Sequence, residues 1–193
     1  MKKAGLVLVA GWLGLCAHGY AQTVSVGVSS GLFFPQEKTY RDIYGNSLPV
    51  EVELRAGLTG NLGFAAGIGY LGDSGQALNI NQGPDRYPVR FRRFSFPVSV
   101  VLLLPMNDVS LFAGAGMSLH SYEEKWQTAA LTHKGTKIKP LAYAGVEYRL
   151  LPRLAARLSL RYETISAGKN PSLAKEINLG GLTVLGGVSL KIF

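Results

Sequence analysis

The sequence predicts an all-β fold: an eight-stranded antiparallel up-and-down transmembrane β-barrel, preceded by a cleavable leader. Three observations carry this. Apolar residues recur at every second position in eight separate runs, the period of a strand with one apolar face. The connections between runs alternate between long and short, as in a meander with loops at one end and tight turns at the other. The face opposite the apolar one is rich in Gly, Ala and Ser, and charged residues make up only 17% of the chain, against about 25% in soluble proteins. A water-facing exterior has no reason to be built from small residues. A narrow lumen does, because side chains must fit across it.

The elements follow in order. "MKK" and "AGLVLVAGWLGLCA" have the charged and apolar regions of a secretory leader, and Gly19 and Ala21 supply small residues at a cleavage site after Ala21. The apolar run is short beside the ~20 residues of a spanning helix. Cys16 follows Leu15 rather than the small residue that acylation needs. Residues 1–21 are therefore expected to be removed, and residues 22–193 to form one barrel without cysteine. The chain carries +8, with 20 basic and 12 acidic residues. Losing Lys2 and Lys3 leaves 18 against 12, or +6. That charge suits an anionic membrane surface, and no nucleic-acid partner is expected of an exported chain.

The first run is "TVSVGVS" and the second "LPVEVELRAGL", with Leu48, Val50, Val52 and Leu54 set against Glu51, Glu53 and Arg55. "LGFAAGIGY" is third and "RFSFPVSVVLLL" fourth, the latter with Phe94 through Leu104 on one face. "LFAGAGMSLHSY" and "IKPLAYAGVEYR" are fifth and sixth. "LAARLSLRYE" is seventh and "GGLTVLGGVSLKIF" eighth. Arg at the midplane of the lipid face costs about 2–4 kcal/mol. A one-residue slip of the seventh run would turn Arg157 and Arg161 outward together, so both are placed in the lumen. The expected lumen charges are then Glu51, Glu53, Glu147 and Glu163 against Arg55, Arg149, Arg157, Arg161 and Lys191. Near-balance favours a packed ion-pair plug over an ion path.

One stretch resists. In "YPVRFRRFSF", Arg90 and Arg92 share the parity of lipid-facing Phe94 and Phe96. Either a bulge shifts the phase, or these arginines stand above the hydrocarbon at the outer rim, in reach of lipid phosphates; the second is preferred, with Trp126 beside them. Phe33, Phe34, Tyr70, Phe91 and Tyr122 are expected with Trp126 in a loop-end aromatic girdle, and Tyr148 and Phe193 at the turn end.

Little chemistry is legible. Ser118 and His120 share one face, with Glu123 and Glu124 just beyond. Their parity is that of the lumen, so a Ser–His–acid site is not expected and the chain is read as no enzyme. Two separated histidines without cysteine are a poor metal set, and no cofactor or metal is expected.

The chain resembles the small OmpA/OmpX-like outer-membrane β-barrel proteins. "RDIYGNSLPVEVELRAGLTGNLGFAAGIGYL" looks like their first loop and second hairpin, and "YAGVEYRLLPRLAARLSLRYE" like their sixth and seventh strands. The resemblance implies location in the outer membrane of a Gram-negative cell, with turns and both mature termini periplasmic. It implies that the closing strand, through Val188, Leu190, Ile192 and terminal Phe193, is the signal read by the barrel assembly machinery, although Phe193 lies one step out of the lipid-facing phase. The expected role is a monomeric structural and interaction barrel with a plugged lumen and surface loops, partnered by outer-membrane lipids and lipopolysaccharide. Transport of small or hydrophobic molecules is the alternative, and lipid A modification a minor one.

Overall fold

The computed structural model describes residues 23–58, 60–78, 86–127, 132–164, 166–169, 176–178 and 180–192. The expected leader and Phe193 lie outside these. Eight strands close into a barrel: β1 (Thr23–Pro35), β2 (Val50–Gly57), β3 (Leu62–Leu78), β4 (Arg86–Met106), β5 (Val109–Trp126), β6 (Thr132–Leu151), β7 (Leu154–Glu163) and β10 (Gly181–Lys191). A hairpin of β8 (Ser166–Lys169) and β9 (Glu176–Asn178) lies in the last long connection. A short helix, α1 (Lys38–Tyr44), lies in the first.

Every neighbouring pair in the barrel is antiparallel. β10 closes on β1 from Ser25 opposite Lys191 to Pro35 opposite Gly181, reaching further toward the loop end than the Thr23–Ser29 pairing expected. At the height of the apolar band closure leaves no open backbone edge, which hydrocarbon requires because it offers no water to bond free N–H and C=O groups.

The polarity is inverted relative to a water-soluble barrel. Val28, Val52, Ile68, Val98, Met117 and Leu158, among many large apolar residues, face outward and are exposed, whereas Glu51, Glu53, Arg55, Arg161 and Glu163 are buried inside. On β4 the outward apolar row runs from Phe94 to Leu104. At about 3.3 Å per residue that is about 33 Å of strand. At a 45° tilt it gives roughly 23 Å of height, close to the ~25 Å apolar band of such barrels.

Strand lengths differ around the ring. β1, β2, β7 and β10 have 13, 8, 10 and 11 residues, but β3 to β6 have 17, 21, 18 and 20. A membrane crossing takes about 9–11. The four long strands therefore rise past the apolar band at the loop end as a wall. α1 leans on the inner face of that wall through Tyr40, Ile43 and Tyr44, spaced i, i+3, i+4 on one side. Gly45, at φ 70°, ends the helix with its N–H bonded to the Arg41 carbonyl.

Between β5 and β6, lumen glycines stand directly opposite aromatics. Phe112 faces Gly145, Tyr143 faces Gly114 and Tyr122 faces Gly135. A side chain on any of these glycines would run into the opposing ring. The glycines are thus the space into which the rings lie, an arrangement that also shields the bare backbone.

Candidate functional site

The lumen is the densest polar site. Arg55 on β2 donates to Glu147 on β6 at 2.9 Å and to Glu53 on its own strand at 3.1 Å. Arg157 on β7 donates to both oxygens of Glu53, at 2.5 and 3.3 Å, and its Nε lies 3.9 Å from Glu147. One layer toward the loop end, Arg161 grips Glu51 with both terminal nitrogens, Nη2 at 2.6 Å. Arg93 on β4 and His120 on β5 each reach within 4.0 Å of Glu163 on β7. β2 and β6 are opposite in the eight-strand ring, and β2 and β7 three strands apart. These pairs therefore cross the lumen rather than run along its wall.

Aromatic rings separate and back the charges. The Arg55 and Arg157 guanidiniums each lie 4.5 Å from the centre of the Phe112 ring, and Arg161 lies 5.7 Å from Tyr143. Arg93 lies 4.7 Å from Phe33. The Tyr143 hydroxyl bonds Ser99 at 2.8 Å. Cations over ring faces in a water-poor space gain more than exposed ones do.

Most of the expected lumen charges meet here, but Arg149 and Lys191 do not. Both keep the inward parity yet sit exposed at the turn end. Arg149 bonds the Asn107 carbonyl at 3.2 Å and lies 3.6 Å from Asp108. With Ser25, Asp108, Lys191 and others it lines a cavity of about 320 Å³ that opens at that end and reaches inward to Arg55 and Glu147. Sequence reasoning also missed a member: Arg93, whose parity with Ser95 and Ser99 was the available signal. The cross-lumen lattice therefore has four arginines (Arg55, Arg93, Arg157, Arg161) against four glutamates (Glu51, Glu53, Glu147, Glu163).

The loop end of the lumen is aromatic, and here the girdle expectation needs correction. Phe33, Phe91, Tyr122 and Trp126 face inward and are buried. Each has lumen parity on its strand, so none reaches lipid. Phe34 and Tyr70 do face outward. Phe33, Leu71, Phe91 and Tyr122 instead form a cluster with Tyr40 of α1, and Trp126 packs on Val89 against Ile43, Tyr44 and Tyr87. The Tyr40 hydroxyl donates to Asp73 at 2.9 Å, and Ser47 donates to the same oxygen. The Tyr44 hydroxyl donates to Glu124 at 3.1 Å. Burial pushes both tyrosines far above their ordinary range, with Asp73 and Glu124 adding to it. Burial likewise raises the Glu124 carboxyl, against the opposing influence of Tyr44 and His133.

On the outside, the β3–β4 pairing keeps one register from Leu62 opposite Leu102 to Leu78 opposite Arg86. No bulge shifts the phase, and Arg90 and Arg92 are exposed on the outer face above Phe94. Of the closing-strand residues, Val188, Leu190 and Ile192 are exposed on the lipid face. Ser118 and His120 are completely buried in the lumen, while Glu123 faces outward and Glu124 is engaged with Tyr44. Among the described residues no three His, Cys, Asp or Glu side chains gather as a metal set.

The comparisons agree with this architecture. The outer membrane protein beta-barrel domain family matches residues 7–184. No curated protein matches the chain. Among solved structures, the outer membrane protein OprG of Pseudomonas aeruginosa superposes with a TM-score of 0.71 at 10% identity, covering 90% of this chain and 97% of OprG. Neisserial surface protein A gives 0.58 at 14%, covering 88% and 96%. Ail, the attachment invasion locus protein of Yersinia pestis, gives 0.54 at 14%, covering 88% and 97%. With the family matched over nearly its whole length and the inverted barrel present, this chain belongs to the outer membrane protein beta-barrel domain family.

Proposed function

We propose that this chain, after loss of residues 1–21, is a monomeric outer-membrane barrel whose lumen is closed and whose work is done by its loops, as a structural and interaction protein of the cell envelope. The observation that carries the reading is the cross-lumen lattice of four arginines and four glutamates, backed by Phe112 and Tyr143 and roofed by the aromatic cluster under α1. An ion entering from the 320 Å³ turn-end cavity meets Arg55 and Glu147 in mutual contact. Passing would require breaking a charge pair buried across the barrel.

In this reading the turns and both mature termini are periplasmic, and the long connections are external. The barrel assembly machinery takes the closing strand through Val188, Leu190, Ile192 and Phe193. No substrate reaches Ser118 or His120, which have no exposed surface, so no enzymatic role is assigned. The test is solute entry into proteoliposomes. Vesicles carrying the refolded barrel should swell in isotonic small sugar no faster than empty ones. Swelling that rises with protein density would favour transport instead.

A further inference from the structure

The 320 Å³ cavity at the turn end carries charge that the lattice uses only in part. Four cations (Arg55, Arg149, Arg153, Lys191) and two carboxylates (Asp108, Glu147) line it. Arg55 is held by Glu147, and Arg149 lies beside Asp108. Arg153 and Lys191 have no carboxylate partner among the described residues. Four cations against two carboxylates leave a surplus of two positive charges, and that surplus sits at the mouth.

Register puts the donors in one row. Ser25 on β1 is opposite Arg55 on β2 and opposite Lys191 on β10. The Lys191 N–H donates to the Arg153 carbonyl at 2.7 Å, which brings Arg153 in beside the row. Strands about 4.8 Å apart place the Arg55 and Lys191 backbones about 10 Å from each other, with only the small Ser25 between them. The row thus runs from a buried guanidinium at the floor to two exposed cations at the mouth. Arg55 commits both terminal nitrogens to Glu147 and Glu53. Its remaining Nε–H is buried and has no acceptor. A buried donor left without an acceptor is costly, and an oxygen brought in through the cavity removes that cost.

The cavity also offers hydrocarbon, from Leu58, Leu103 and Leu154. Its volume equals that of about ten waters at ~30 Å³ each, which admits a small organic ion and excludes a polymer. We infer that it binds a short dicarboxylate, with one carboxylate between Lys191 and Arg153, the other against Arg55, and the hydrocarbon spacer along the leucines. Two negative charges match the surplus of two. Donors at both ends of an apolar wall fit two separate carboxylates better than one compact phosphate, and a guanidinium edge pairs well with a carboxylate. The bound ion rests on the near side of the Arg55–Glu147 pair and does not cross the barrel. The cavity exists whichever way the barrel faces and whether or not the lumen conducts, so swelling of vesicles in sugar would refute closure without touching this site.

The experiment titrates the refolded, isotopically labelled barrel in detergent micelles with succinate, and with butyrate and succinamide as probes that keep the spacer but lose one or both charges. Amide NMR shifts locate the site and give its affinity. Succinate should shift the amides of Ser25, Arg153 and Lys191 saturably, butyrate should bind more weakly, and succinamide should not bind. Arg153 and Lys191 are exposed, so each contributes at the level of an exposed ion pair, about threefold. K191Q should bind succinate about threefold more weakly than wild type, and R153Q/K191Q about tenfold. D108N, which frees Arg149, should bind more tightly, a gain that a folding defect would not imitate. R92Q, at the opposite end, should bind as wild type does. Unboiled gel mobility reports folding of each variant. The inference is overturned if succinate gives no saturable shift at these residues, if R153Q/K191Q keeps wild-type affinity, if D108N weakens binding, or if butyrate or succinamide binds as well as succinate.

Discussion

The pair Arg161–Glu51 offers the sharpest test of the lumen. Both side chains are about 6% exposed, and both guanidinium ends engage the carboxylate. Replacing Glu51 with Leu leaves a charge that arginine cannot shed in a space it cannot leave. Loss of one partner of a buried pair costs about 3–5 kcal/mol, a shift of between about 10² and 10⁴ in the unfolding equilibrium. R161M leaves the Glu51 carboxylate in the same space without its cation and should likewise cost more than the double variant. The double variant E51L/R161M removes both charges into similar volume and should lie within about 1 kcal/mol of wild type. The assay is urea unfolding from phosphatidylcholine vesicles, followed by the fluorescence of Trp126, the one tryptophan of residues 22–193. The reasoning fails if E51L costs under ~1 kcal/mol, as an exposed ion pair would, or if the two single costs simply add in the double variant.

Three further outcomes are expected. Burial raises the Glu124 carboxyl above its ordinary value of 4.5, so the folded state favours the protonated form. Docking of α1 is then strongest below that value and weakens as pH rises through the raised one; amide exchange of residues 38–44, corrected for intrinsic rate, should show this loss of protection in wild type and not in E124Q. Gly145→Val places a side chain where the Phe112 ring lies and should destabilise by about 1–3 kcal/mol in the same urea assay, whereas Gly186→Val, in open space, should change stability by under ~0.5 kcal/mol. Deleting Phe193 should reduce the heat-modifiable, membrane-inserted fraction recovered from cells; full insertion would show that the terminal aromatic is dispensable.

The barrel was legible in the sequence because a strand declares itself with a period of two, and membrane barrels invert which face is large. Glu51, Glu53, Arg55, Arg157, Arg161 and Glu163 could be placed in the lumen from parity alone. Height along a strand was less legible. Arg149 and Lys191 have the right parity but stand at the turn end, beyond where lumen walls enclose a side chain. Trp126 failed for a different reason. The wall of β3 to β6 continues the lumen past the membrane, so an aromatic near the rim can face α1 instead of lipid. Length alone hinted at this, since these strands exceed what a crossing needs. α1 itself was missed, although Tyr40, Ile43 and Tyr44 followed by Gly45 carry a helical spacing and a stop.

Closure of the lumen is tested most directly by single-channel recording in planar bilayers. The wild-type barrel, inserted in molar salt at 100 mV, should leave the membrane at baseline, and deletion of residues 38–44 should leave it there, because the arginine–glutamate lattice lies beneath α1. Discrete, reproducible conductance steps from the wild-type protein would contradict the account.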